Sequence, residues 1–265
     1  MRYLGILAVA MMTMNVFGSD RSTSDDKRTK RNPRSDSRLA YHLESHRFIE
    51  APLNAPGNGI PLSEYLWAQT ASYRNAALNS GFVQGLKNAT LDPEAFGNYM
   101  IQDSLFCYWV KNIIDLALKN ATDPAVWNFL SATGESYKSY YESMFETWSI
   151  ANAPGVKSGP ALSRYLNQVR NVATTMDPIY VVVALIPCAK LWPWLGEQLN
   201  VNSSSFGVYD SWVKTNFGYS SEYKTYETLI NNAETWGHID RHRALEAYRG
   251  SMSGEADFFN IVKTV

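Results

Sequence analysis

Residues 91–120 read LDPEAFGNYMIQDSLFCYWVKNIIDLALKN, and the spacing of their apolar side chains decides the fold class. Phe96, Tyr99, Phe106, Val110, Ile113 and Ala117 recur at steps of three and four once Asp103 is counted among them. That period lines one face of a helix, whereas a half-buried strand would alternate in twos. Asp92, Pro93 and Glu94 supply an acidic first turn with an early proline, and TDPAVW (122–127) repeats the device. Carried outward, the same spacing predicts helices over 63–87, 92–120, 123–150, 159–175, 177–199, 206–217, 221–235 and 239–263. EAPLNAPGNGIPLS (50–63) reads as a linker and NAPGVKSGP (152–160) as a break. There is no internal repeat and no glycine-rich phosphate loop. The sequence therefore predicts an all-α fold, a single-domain bundle of seven or eight helices over 63–265.

The chain has 265 residues, of which 45% are hydrophobic and 13% aromatic, enough for one sizeable core. A net charge of −1 provides no global field for nucleic acid or an anionic membrane. Charge is unevenly placed, however. DRSTSDDKRTKRNPRSDSR (20–38) holds seven Lys/Arg and no large apolar residue, the composition of a disordered leader. Before it, MRYLGILAVAMMTMNVFG pairs Arg2 with an apolar run, and Val16 and Gly18 suit a signal-cleavage site. That run is short of the roughly 20 residues a bilayer span needs. The expected division is a signal peptide over 1–18, a basic leader and linker over 19–62, and a secreted helical domain over 63–265. Sequons at Asn88, Asn120 and Asn202 agree with that route as candidate glycosylation sites. The apolar stretch 181–195 is interrupted by Pro187, Lys190 and Pro193 and is not read as a membrane span. In an oxidising compartment two cysteines, here Cys107 and Cys188, default to a single disulfide.

Three polar residues stand where the pattern wants a hydrophobe. Asp103 interrupts the apolar face already described, and burying a carboxylate is costly unless it is bonded, so it needs a specific partner. One reading makes it an internal anchor, for instance to a tyrosine; the other makes it a ligand-binding group. Glu255 sits on a stripe with Tyr248, Met252, Phe259 and Val262. Inside an apolar pocket it would have the raised pKa of a general acid/base; at the stripe edge it would reach solvent or a lysine. Cys188 shares a face with Ala184, Leu185, Leu191, Trp192 and Leu195, and directly follows Pro187. It reads either as a small buried hydrophobe or as a nucleophile in space opened by the proline. A thiol, an Asp and a Glu on three helices, with aromatics between, suit nucleophilic attack on a flat, electron-poor heterocycle. His238, His242 and Glu246 at i, i+4 and i+8 could hold a metal, but a solvated helix face is the simpler reading, and no metal site is expected.

Five blocks carry a resemblance to a known family. FVQGLKNATLDPEAFGNYMIQDSLFCYWV (82–110) resembles the G-x-L-x-x-x-x-F-x-x-Y-x-x-Q-D motif of the TenA/thiaminase II family, with Ala89 at the glycine. PALSRYL (160–166), ALIPCAKLWPWLG (184–196), YDSWVKTNFG (209–218) and GEADFF (254–259) follow in the family's order. The resemblance implies a haem-oxygenase-like helical fold, commonly a homotetramer, with neither haem, metal nor any other cofactor. It implies that Asp103 holds an aminopyrimidine ring, Cys188 is the nucleophile and Glu255 the acid/base. Tyr165 and Phe258 would line the ring site, together with Phe106, Trp192 and Asn216. Phe106 and Asn216 stand where the family has tyrosines, so two hydroxyls that would orient thiol and substrate are missing.

Two functions follow from this. The first is a thiaminase II-like hydrolase acting on thiamin or an aminopyrimidine. The alternative is a catalytically retired, secreted binding or signalling protein on the same scaffold. A Cys107–Cys188 bridge would favour the second, because it would consume the nucleophile. Either way the expected partner is a small pyrimidine-like heterocycle, with no nucleic acid and no membrane span.

Overall fold

Every regular element in the computed structural model, which describes residues 59–261, is helical. The expected signal peptide (1–18) and the leader as far as residue 58 lie outside the described residues.

The first predicted helix, 63–87, is three short ones: α1 (Leu62–Gln69), α2 (Ala71–Leu78) and α3 (Gly81–Lys87). The polar residues between them are responsible. The Thr70 hydroxyl donates back to the carbonyls of Leu66 and Trp67, offering the backbone an alternative to continued helix. Ser80 caps α3, its Oγ accepting the Val83 N–H at 3.2 Å. The α3 terminus is closed by Thr90 N–H to Gly85 O (2.8 Å) and Ala89 N–H to Leu86 O (3.0 Å), with Ala89 left-handed at φ 54°. A left-handed residue with that bond pair is the common helix stop in which glycine is preferred.

The two long helices α4 (Pro93–Leu118) and α5 (Pro124–Thr147) begin as the sequence predicts, with Asp92 and Asp123 accepting first-turn N–H groups ahead of a proline. They pack on one another, and α4 also packs on α6 (Pro160–Thr175). The second half comprises α7 (Ile179–Gln198), α8 (Asp210–Asn216), α9 (Tyr223–Thr235) and α10 (Arg241–Phe259). Helix α10 packs on α6, α7, α2 and α1, and α7 also packs on α9, so α10 and α6 join the α4–α5 pair to the rest. The described residues thus form ten α-helices rather than seven or eight, mainly because the first segment divides.

Helix α7 runs unbroken through Pro187 and Pro193, and residues 179–187 are buried all round. A helix covered on every side has no reason to be amphipathic, which accounts for its continuous apolar sequence. It is the one helix among the described residues long and apolar enough to cross a membrane, and 72% of its most apolar window is buried within the protein. Near its end Gly196 lies against the end of α8, where an added Cβ would stand 1.7 Å from the Phe217 carbonyl oxygen.

Candidate active site

The site is built from five helices. Asp103 on α4 is 8% exposed and Glu255 on α10 only 4%, so both polar interruptions of the apolar stripes are buried carboxyls. Each has a tyrosine donor. Tyr140 on α5 donates to Asp103 Oδ2 at 2.7 Å, and Tyr165 on α6 donates to Glu255 Oε1 at 2.8 Å. The second bond depends on a glycine. A Cβ at Gly254 would fall 2.5 Å from the Tyr165 ring, so only glycine lets that ring lie close enough beside α10. Cys188 on α7 is half-buried as a residue, with its thiol set deep between Glu255 and Tyr137 of α5.

Burial governs the electrostatics. It raises Glu255 from 4.5 to about 7, against donors from Tyr165, Cys188 and Trp192 and with further elevation from the Asp103 charge. It raises Asp103 from 3.8 to about 6, opposed by the Tyr140 hydroxyl. It pushes the Cys188 thiol well up, and the nearby Glu255 and Asp103 carboxylates add to the rise. The resting site therefore holds a protonated thiol beside a carboxyl balanced near neutrality, which is the arrangement a base needs to take the thiol proton.

Aromatic rings wall the group. Phe106 lies 4.8 Å from the Tyr165 ring, and Phe258 lies 4.9 Å from Tyr99 and 6.4 Å from Phe106. Trp192 packs on Phe217 (5.2 Å) and Phe259 (5.5 Å). Its buried indole N–H makes no full hydrogen bond among the described residues but lies near enough to Glu255 to favour that carboxylate.

Most of the residues singled out in the sequence thus converge: Asp103, Phe106, Tyr165, Cys188, Trp192, Glu255 and Phe258. Asn216 is engaged elsewhere, donating from its amide to the Trp212 carbonyl of its own helix at 2.7 Å. The alternative placing Glu255 at a stripe edge, facing solvent or a lysine, is overturned by its burial against Tyr165. The Cys107–Cys188 disulfide is likewise absent, and both thiols are free. Cys107 sits on α4, which packs chiefly on α5 and α6, whereas Cys188 sits on α7, which packs chiefly on α10 and α9. A disulfide requires Cα atoms within about 7 Å, a separation suited to directly packed backbones. His242 meets Glu246 at 3.7 Å on an exposed face, and no cluster of three metal-ligating side chains occurs among the described residues. The sequon residues Asn88, Asn120 and Asn202 are all exposed.

Sequence reasoning missed Tyr137 and Tyr140. The signal was present, since α5 carries Val126, Leu130, Thr133, Tyr137, Tyr140 and Met144 at alternating steps of four and three. Tyrosine blends into an apolar stripe because its ring satisfies the pattern while its hydroxyl goes unnoticed.

The chain is 24% identical over 183 residues to the aminopyrimidine aminohydrolase of Helicobacter pylori, covering 65% of this chain and 81% of that one. It is 23% identical over 216 residues to the thiamine biosynthesis multifunctional protein ThiED of Corynebacterium efficiens, covering 79% of this chain but spanning only 29% of that longer protein. A TenA family transcription regulator from Silicibacter sp. TM1040 superposes with a TM-score of 0.65 at 19% identity, over 76% of this chain and 95% of that one. The fold is the haem-oxygenase-like helical fold of these structures. Residues 67–259 match the TENA/THI-4/PQQC family, and the chain belongs to that family.

Proposed function

We propose that the protein is a thiaminase II-type hydrolase that cleaves thiamin or an aminopyrimidine through a covalent Cys188 intermediate. The observation that carries the reading is the setting of Glu255, buried between the Tyr165 hydroxyl and the Cys188 thiol with a pKa raised to about 7. In the proposed reaction Asp103 holds the ring nitrogen and amine. Glu255 takes the thiol proton as the Cys188 sulfur adds to an electron-poor ring carbon. The substituent on the exocyclic carbon leaves with its bonding electrons, an amine taking the proton from Glu255 and the thiazolium of thiamin departing as neutral thiazole without one. Water then adds its hydroxyl to that carbon and releases its proton, the sulfur is eliminated as a thiolate, and Glu255 returns a proton to it, restoring both groups. The aminopyrimidine aminohydrolase among the relatives supports this substrate class. The free state of Cys188 supports catalysis over a retired scaffold.

The test is a cleavage assay on thiamin and aminomethyl-pyrimidine analogues with reduced protein. Cys188→Ala and Glu255→Gln should each lower kcat at least about a hundredfold. No turnover by the wild type across these substrates would sink the reading. The secretory route inferred from residues 1–18 belongs to the same proposal, and the exposed sequons are compatible with it. Glycosidase-sensitive mass in protein from the native host would bear it out.

A further inference from the structure

Helix α5 delivers two hydroxyls to opposite ends of the site. Tyr140 Oη donates to one oxygen of Asp103, and no other described side chain donates to that carboxylate. Tyr137 lies one turn earlier on the same face. It stands edge-on to Phe106, with ring centroids 6.4 Å apart, and its hydroxyl lies near enough to the Cys188 thiol to favour the thiolate, short of a full hydrogen bond. The packing of α5 on α4 and on α7 directs that face inward, so the tyrosine spacing of three residues matches the placing of Asp103 on one helix and Cys188 on the other.

We propose that Tyr137 and Tyr140 are positioning residues, Tyr137 holding the Cys188 sulfur and Tyr140 turning the Asp103 carboxylate so that its second oxygen faces the ring. The inference rests on the roles given above to Cys188 and Asp103, but its readouts require no turnover. The titratable groups near Cys188 on the surrounding helices are all acids: Glu255 from α10, Asp103, Cys107 and Tyr99 from α4, Tyr137 from α5, Tyr165 from α6 and Tyr226 from α9. Burial first, and then Glu255 and Asp103, oppose a thiolate there; the Tyr137 hydroxyl is the donor that favours it. At the other end, burial raises Asp103 and the Tyr140 donor holds it down. The hydroxyls absent at Phe106 and Asn216 are thus replaced, in part, from a helix outside the five sequence blocks that carry the resemblance.

The experiment follows iodoacetamide alkylation of Cys188 by peptide mass spectrometry across a pH series, and the infrared carboxyl band of Asp103, assigned with Asp103→Asn. Tyr137→Phe should slow alkylation about threefold to tenfold at a pH below the thiol midpoint and leave Asp103 unmoved. Tyr140→Phe should raise the Asp103 midpoint and leave alkylation at the wild-type rate. Tyr248→Phe, which removes another buried hydroxyl whose charged neighbours are Glu227 and Arg74, should change neither. Wild-type alkylation in Tyr137→Phe, or equal changes of both readouts in both variants, would overturn the proposal. Should Tyr137→Phe fail to fold, 3-fluorotyrosine at position 137, a stronger donor of nearly the same size, decides: alkylation no faster than in the wild type overturns it. An inactive wild type showing the expected variant pattern would remove the hydrolase reading while leaving the positioning roles intact.

Discussion

Glu255 makes the protein's stability depend on pH in an unusual direction. Its carboxyl titrates near 7 when folded against an ordinary value of 4.5, so between those values the folded chain holds a proton that the unfolded chain has lost. Stability from this group is fully present below 4.5 and falls as pH rises toward 7; Asp103 acts alike between 3.8 and about 6. Most paired carboxylates do the reverse. Glu255→Gln should therefore flatten the decline of the urea midpoint with rising pH and leave the variant at least as stable as the wild type at neutrality. A wild-type midpoint that climbs over the same window would contradict the burial argument. The polar anomalies were legible in the sequence because charge interrupts a periodic stripe visibly. Their donors were harder to read: Tyr165 entered only through the resemblance and Tyr140 not at all, since a tyrosine satisfies an apolar pattern and reveals its hydroxyl only once helices pack.

At the scale of elements, two short-range geometries can be tested by adding or removing one methyl group. Ala89 ends α3 at φ 54°, a conformation that costs a residue with a Cβ about 1 kcal/mol or more. Ala89→Gly should raise the melting temperature by about 2–4 °C. No change would mean that the α3 terminus relaxes without cost. Gly254 is the opposite case. A Cβ there would meet the Tyr165 ring at 2.5 Å, so Gly254→Ala should cost about 1–3 kcal/mol and push the ring away from Glu255. Losing that donor raises Glu255 further, so the acid limb of the pH–rate profile should move to higher pH. Helices α4 and α5 were readable nearly to the residue because Asp-Pro caps mark their starts. The division of 63–87 was hidden, because Thr70 and Ser80 break a helix through their own side-chain bonds and leave its apolar spacing intact.

At the scale of the molecule, Cys107 and Cys188 are free thiols on α4 and α7, helices that pack chiefly on other partners. Alkylation in denaturant without reductant should add two adducts per chain, and in native protein Cys188 should react ahead of the more buried Cys107. A denatured chain taking up none would restore the disulfide. The sequence alone could not decide this pairing, because it depends on which helices become neighbours. The two prolines of α7 also have a meaning beyond the folded state. IYVVVALI (179–186) is eight uncharged, largely β-branched or aliphatic residues bracketed by Pro178 and Pro187. Newly made or unfolded chains that exposed such a run would tend to align it, strand against strand, with its counterpart in another chain. Proline lacks the N–H that would extend such a ladder at either end, so the bracketing residues limit aggregation while the bundle is still incomplete. Within the finished helix α7 the same run is completely enclosed. Pro187 thus stands beside the proposed nucleophile in the folded protein and restrains chain-to-chain association before folding.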